Sequence, residues 1–132
     1  KNILSRFEEI LEFADMHKFI DTPVKHYSSG QYTRLGFAVA AHLDHEILMV
    51  DEVLAVGDGV FQAKCLAKMR ELVQDGRTVL LVSHRLDQVE SVCDKLLWLD
   101  KGKMVAWGPT KTVMAQYRSH IDTCVAANAQ SA

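Results

Sequence analysis

The glycine-rich pattern G-x-x-x-x-G-K-[ST], the usual cradle for nucleotide phosphates, occurs nowhere in these 132 residues. No apolar run is long enough to span a bilayer, and no secretory signal opens the chain. With 2 prolines and 7 glycines the chain is neither fibrous nor low in complexity, and no internal repeat is visible. Cys65, Cys93 and Cys124 are far apart and odd in number, so neither a zinc spacing nor a disulfide framework is present. Reduced thiols of a cytosolic protein are the expectation. An excess of positive charge is also missing: the net charge is -2, which gives no basic surface for general nucleic-acid binding.

The composition that remains is globular, 48% apolar and 24% charged, and the length allows one modest domain. The chain opens at Lys1 without a methionine, which fits an excerpt of a longer protein.

Helical spacing of Ile3, Phe7, Ile10, Leu11 and Ala14 predicts an amphipathic helix over residues 2–15. A short turn around Met16–Ile20 is broken by Asp21-Thr22-Pro23. Ser28-Ser29-Gly30 marks a helix start, since a serine at the N-cap accepts from backbone N–H groups that lack a helical partner. The helix over 31–43 is apolar almost all round and is expected to be buried. Residues 47–50 form a short, fully apolar run suited to a central parallel strand. Val60–Asp75 returns to helical period, with Phe61, Cys65, Met69, Leu72 and Val73 on one face and Gly76 as terminator. Thr78–Val82 is a second buried-type strand, and Leu86, Val89 and Cys93 line a short helix after it. Leu96–Leu99 and Met104–Trp107 flank Asp100-Lys101-Gly102-Lys103, a hairpin signal. A last helix opens at Pro109-Thr110 with Val113, Tyr117 and Ile121 along one face, and a frayed tail is expected from Thr123. Strands and helices in this order predict an α/β fold with a parallel sheet.

Three segments carry chemistry. Ile47-Leu48-Met49-Val50 ends in Asp51-Glu52, which puts two acids at the carboxyl edge of a sheet, where ligands bind in open α/β folds. Alternation along a strand gives the two acids different roles. Asp51 suits Mg²⁺ held through water, because Mg²⁺ takes few carboxylates. Glu52 suits orientation or deprotonation of an attacking water. On spacing alone, the pair could equally end a strand in solvent. His84 follows the second strand and reaches the same edge, where it could donate to a γ-phosphate. Ser28-Ser29-Gly30-Gln31 offers a hydroxyl, free N–H groups and the positive end of a helix, a generic anion site, although the pattern alone favours an ordinary N-cap. Ala55-Val56-Gly57-Asp58 adds a turn and a third acid that could simply cap the next helix. His17, His26, His42, His45 and His120 have no such setting.

Together, in this order, these segments resemble the C-terminal half of an ABC-transporter ATPase, from about Ile3 to Ile121. Tyr27–Gln31 matches the signature usually written LSGGQ, Ile47–Glu52 the Walker B strand with its glutamate, Ala55–Asp58 the D-loop, His84 the switch histidine, and Arg34 a basic residue usual on the signature helix. Tyr27 and Ser29 replace Leu and Gly, and the sequence after Glu52 departs from Pro-Thr-Ser-x-Leu-Asp. These departures are similar to exporters of O-antigen, capsule and teichoic acid, closest to the O-antigen type.

The resemblance implies a partial P-loop NTPase fold: the end of a helical subdomain with the signature helix (1–43), a core with Walker B, D-loop and switch histidine (44–122), and a flexible tail (123–132), the Walker A half being absent. It implies ATP and Mg²⁺ as ligands, a head-to-tail dimer of ATPase subunits, integral-membrane permease partners, no nucleic acid, and a cytoplasmic, peripheral place on the inner face of the plasma membrane. Ser28, Ser29, Gly30 and Gln31 would meet the partner's ATP, while Asp51, Glu52 and His84 would serve the subunit's own. Without Walker A, the isolated chain is expected to be inactive. A soluble ABC ATPase of DNA repair or translation is the alternative, but no coiled coil or basic arm is visible. A non-catalytic interaction fragment is another, against which the retained Glu52 and His84 argue.

Overall fold

Helix α1 (Ile3–Ala14) forms where the apolar spacing predicts it, and Leu11 and Ala14 bury its inner face. It ends by a specific device. Asp15 takes φ +55, its N–H donates to the Glu12 carbonyl at 3.3 Å, and the Met16 N–H donates to the Leu11 carbonyl at 3.0 Å. That is a Schellman ending with aspartate in the left-handed position, which short polar side chains tolerate best after glycine. Met16 folds back into the same buried cluster as Leu11 and Ala38. The computed structural model describes residues 3–51 and 58–129, in two compact units, Lys1–His84 and Arg85–Ala132.

In the first unit, two 3₁₀ turns (His17–Phe19 and Val24–His26) lead into helix α2 (Ser29–His42). Phe37, Ala38 and Ala41 are buried, whereas Tyr32 and Val39 are exposed. The helix expected to be buried all round is therefore covered on one side. Strand β1 (Ile47–Asp51) follows, then helix α3 (Gly59–Gln74), whose face of Phe61, Cys65, Met69 and Leu72 is buried. Gly76 ends α3 as predicted: it takes φ +85, with N–H groups of Gly76 and Arg77 donating to Val73 and Leu72. Strand β2 (Thr78–Val82) pairs in parallel with β1, from Ile47 opposite Thr78 to Asp51 opposite Val82.

The two strands were expected to be buried on both faces. Leu48 and Val50 are buried, but Met49 is 76% exposed and Val82 62%. Ile47 and Leu80 stand exposed on the same side. The strands have their parallel register but one bare face, because no described element covers it.

In the second unit, helix α4 (Leu86–Val92) buries Gln88 and Val89. The predicted hairpin is present as β3 (Lys95–Asp100) and β4 (Lys103–Pro109), closed through Lys101 at φ +46 and Gly102 at φ +76. Positive φ at both central residues gives a turn whose twist matches the strands, and glycine adopts it without strain. Helix α5 (Thr110–Ala129) starts where Thr110 bonds the Asp94 carbonyl through its N–H at 3.0 Å and the Cys93 carbonyl through its hydroxyl at 2.6 Å. Val113 and Met114 are buried, and Trp98 packs edge-on against Tyr117. Residues 123–129, expected as a frayed tail, continue α5 as helix, since Cys124, Val125 and the alanines after them are compatible with it.

A bare strand face of Ile47, Met49, Leu80 and Val82 favours association between copies. Light scattering of the purified chain is expected to give a mass above the monomer, shifted towards the monomer by Met49→Lys with Leu80→Lys. A clean monomer for the unaltered chain would contradict this.

Candidate functional site

Helix α2 begins with a reciprocal cap. Gln31 N–H donates to Ser28 Oγ at 3.2 Å, and Ser28 N–H donates to Gln31 Oε1 at 2.9 Å. Both groups are therefore fixed before any ligand arrives. The Ser29 carbonyl accepts from the Thr33 hydroxyl at 2.9 Å. Upstream, the Tyr27 hydroxyl donates to the Phe19 carbonyl at 3.0 Å, holding the preceding turn in place. Ser28, Gly30, Gln31 and Arg34 line an open depression of about 280 Å³ together with Asp15 and Met16. Ser29 lies outside that lining.

Among the described residues, packing does not require glycine at position 30. A Cβ built there would meet nothing closer than Ser28 Oγ, at 4.0 Å. Glycine in a helix costs roughly 0.5–1 kcal/mol relative to alanine. Among the described residues, no contact within the chain demands glycine at this position.

Asp58 is the N-cap of α3. Its Oδ1 accepts from the Phe61 N–H at 2.9 Å, and its Oδ2 accepts from Arg34 Nη2 at 2.9 Å. The Phe61 amide first, and the Arg34 guanidinium with it, hold the Asp58 carboxyl below the usual carboxylate range. The capping role read from the sequence is thus present, and with it a tie to α2 that spacing did not reveal.

Asp51 and His84 share the other group. Asp51 ends β1 opposite Val82, and His84 lies two residues past Val82, so both stand at the carboxyl edge of the parallel pair. Both are exposed. Asp51 lies in phase with Ile47 and Met49, on the bare side of the strands. One exposed carboxylate at this edge suits Mg²⁺, which keeps most of its water. Glu52 and Ala55-Val56-Gly57 lie outside the described residues.

The predicted residues therefore gather in two groups: Ser28, Gly30 and Gln31 at the head of α2, and Asp51 with His84 at the sheet edge. Asp15 is the residue that sequence reasoning missed. Its place beside Arg34 depends on the left-handed ending of α1, which no local pattern announces.

No protein-family model matches the chain. Curated proteins do. The chain is 47% identical over 130 residues to the O-antigen export system ATP-binding protein RfbB of Myxococcus xanthus, covering 98% of this chain and 29% of that protein. It is 42% identical over 121 residues to the teichoic acids export ATP-binding protein TagH of Enterococcus faecalis, covering 92% of this chain and 27% of that protein. A Klebsiella pneumoniae RfbB is 40% identical over 118 residues, 48% of its own length. The chain is homologous to ABC-transporter ATP-binding subunits. It spans less than half the length of these relatives.

Solved structures show the same fold. A structure described as the ATP-binding subunit of an ABC transporter superposes with a TM-score of 0.78 at 21% identity, over 88% of this chain and 50% of that one. The ATP-binding cassette MJ0796, solved as a dimer bound to ADP and Pi, superposes at 0.70 with 22% identity, over 80% of this chain and 46% of that one. The fold is that of an ABC ATPase domain, present in part.

Replacing Ser28 with alanine removes one half of the cap and is expected to cost about 1 kcal/mol in urea unfolding. Asp58 contributes stability that is present above its ordinary value of 3.8 and lost as pH falls below it. Asp58→Asn is expected to flatten that acid limb of the unfolding midpoint, and an unchanged limb would contradict the assignment.

Proposed function

We propose that this chain is the signature-bearing part of an ATP-hydrolysing subunit that powers export of a bacterial cell-surface polysaccharide. The observation that carries the reading is the likeness to export ATP-binding proteins over 130 residues, a span that includes both groups of site residues. In this reading residues 1–43 form the end of the helical subdomain with the signature helix, and 44–122 the core.

The nucleotide lies between two copies of the subunit. Ser28, Ser29, Gly30 and Gln31 meet the phosphates held by the partner, through the cap hydroxyl and the N–H groups at the positive end of α2. The glycine at position 30, which no described contact demands, supports this close approach. On the subunit's own side, Asp51 would hold Mg²⁺, which would supply positive charge against the phosphates. Glu52 orients and deprotonates the attacking water, and His84 donates to the γ-phosphate. Asp58 stands at the junction of the two copies. Integral-membrane permease subunits receive the motion of closure. The subunit acts as a peripheral component on the cytoplasmic face, a reading supported by the likeness to export ATP-binding proteins. No described helix is long and apolar enough to cross a membrane.

The phosphate loop is supplied by a segment that this sequence does not contain. The isolated chain is therefore expected to bind Mg-ATP weakly or undetectably by calorimetry. Micromolar binding that is lost in Asp51→Ala would overturn that expectation. In the complete subunit, Glu52→Gln is expected to retain ATP and abolish turnover, and unchanged turnover would refute its role. Gly30→Ala separates fold from function: thermal stability is expected to hold or rise, by up to about 1 kcal/mol, while turnover falls. Full turnover in Gly30→Ala would remove the close-approach argument.

A further inference from the structure

Arg34, matched above only as a basic residue usual on the signature helix, has three partners in the first unit. It sits three and four positions after Gln31 and Gly30, on the same side of α2 as the helix start. The two ends of its guanidinium answer two different carboxylates. Nη2 lies 2.9 Å from Asp58 Oδ2, and Nη1 lies 3.8 Å from Asp15 Oδ2. Its Cζ lies over the ring of Phe61, 5.0 Å from the centroid. Lys64 in turn holds both oxygens of Asp15 at 3.2 Å. The charges alternate along Asp58, Arg34, Asp15 and Lys64, and the chain joins the end of α1, the middle of α2 and the start of α3.

Exposed ion pairs add little to stability. A chain of four charges built around one guanidinium does something else well: it fixes orientation. We propose that Arg34 is a positioning residue for ATP hydrolysis, holding α2 to Asp58 so that Ser28, Gly30 and Gln31 are presented in one fixed attitude to the nucleotide. The inference rests on the ATPase reading above. Arg34 need not touch the nucleotide; it acts through the helix it anchors and through Asp58. Lysine is a poor substitute, because a compact ammonium lacks the planar fork whose two ends face separate carboxylates while its centre lies over Phe61.

The test uses the complete subunit and steady-state ATP hydrolysis. Arg34→Ala is expected to lower kcat at least about tenfold, within the roughly 100-fold that misplacement by an ångström costs, with KM changed by less than about twofold. Arg34→Lys is expected to recover only part of the loss. Combining Arg34→Ala with Asp58→Asn is expected to be no worse than the poorer single variant, because both break one tie. A merely structural role predicts a different pattern: a lower melting temperature, with normal kcat in the folded fraction and additive losses in the double variant. That pattern, or full recovery by lysine, overturns the inference. Absence of turnover in the unaltered subunit overturns the ATPase reading beneath it, whereas normal turnover in Arg34→Ala overturns this inference alone.

Discussion

Three phenylalanines from three helices meet at one point, and the first unit is arranged around them. Phe13 of α1 stacks on Phe37 of α2 at 6.0 Å and meets Phe61 of α3 edge-on at 5.7 Å, while Phe37 and Phe61 are 6.5 Å apart. Such rings contribute large buried area and prefer these offset and edge-on geometries. Arg34 closes the cluster on its polar side by lying over Phe61. The junction sets the angle between α2 and α3, and with it the place of the α2 cap relative to Asp58. A second tie, from Arg6 to Asp44 and from Arg77 to the Leu43 carbonyl at 2.9 Å, fixes the exit from α2 towards β1. Packing here serves presentation: two helix starts, capped by Ser28 and Asp58, are held by one aromatic centre.

The bare face of β1 and β2 has the opposite character. Met49 and Leu80 are strand residues of a kind that seeks cover, and the open face lies on the side of Asp51. Curated relatives two to four times as long provide more chain with which such a face could be covered. An apolar strand face beside a carboxylate excludes water from one side of it once covered, which strengthens its electrostatic interactions.

Much of this was legible in the residues. Helix starts and stops follow side-chain chemistry within a few positions, so the cap at Ser28, the ending at Gly76 and the hairpin turn at Gly102 could be read locally. The order of Ser28–Gln31, Asp51 and His84 was enough to place them on a helix head and on one sheet edge, because strand register and helix periodicity are short-range rules. Burial was less legible. Val39, Met49 and Val82 are apolar and yet exposed, since exposure depends on what packs against an element and not on the element itself. The extent of α5 was also hidden, because residues 123–129 are small and weakly periodic, and continue as helix behind a well-anchored start.

By itself, then, the sequence determined the elements, their caps and the two groups of candidate site residues, since these depend on neighbours within a turn or a strand. The tertiary structure decided which distant groups share a charge. Asp15 and Asp58 are 43 positions apart, and they meet the same guanidinium only because Asp15 turns left-handed at the end of α1 and the Phe13, Phe37 and Phe61 rings bring three helices together. No local pattern encodes that meeting, because it is a consequence of packing and not of spacing.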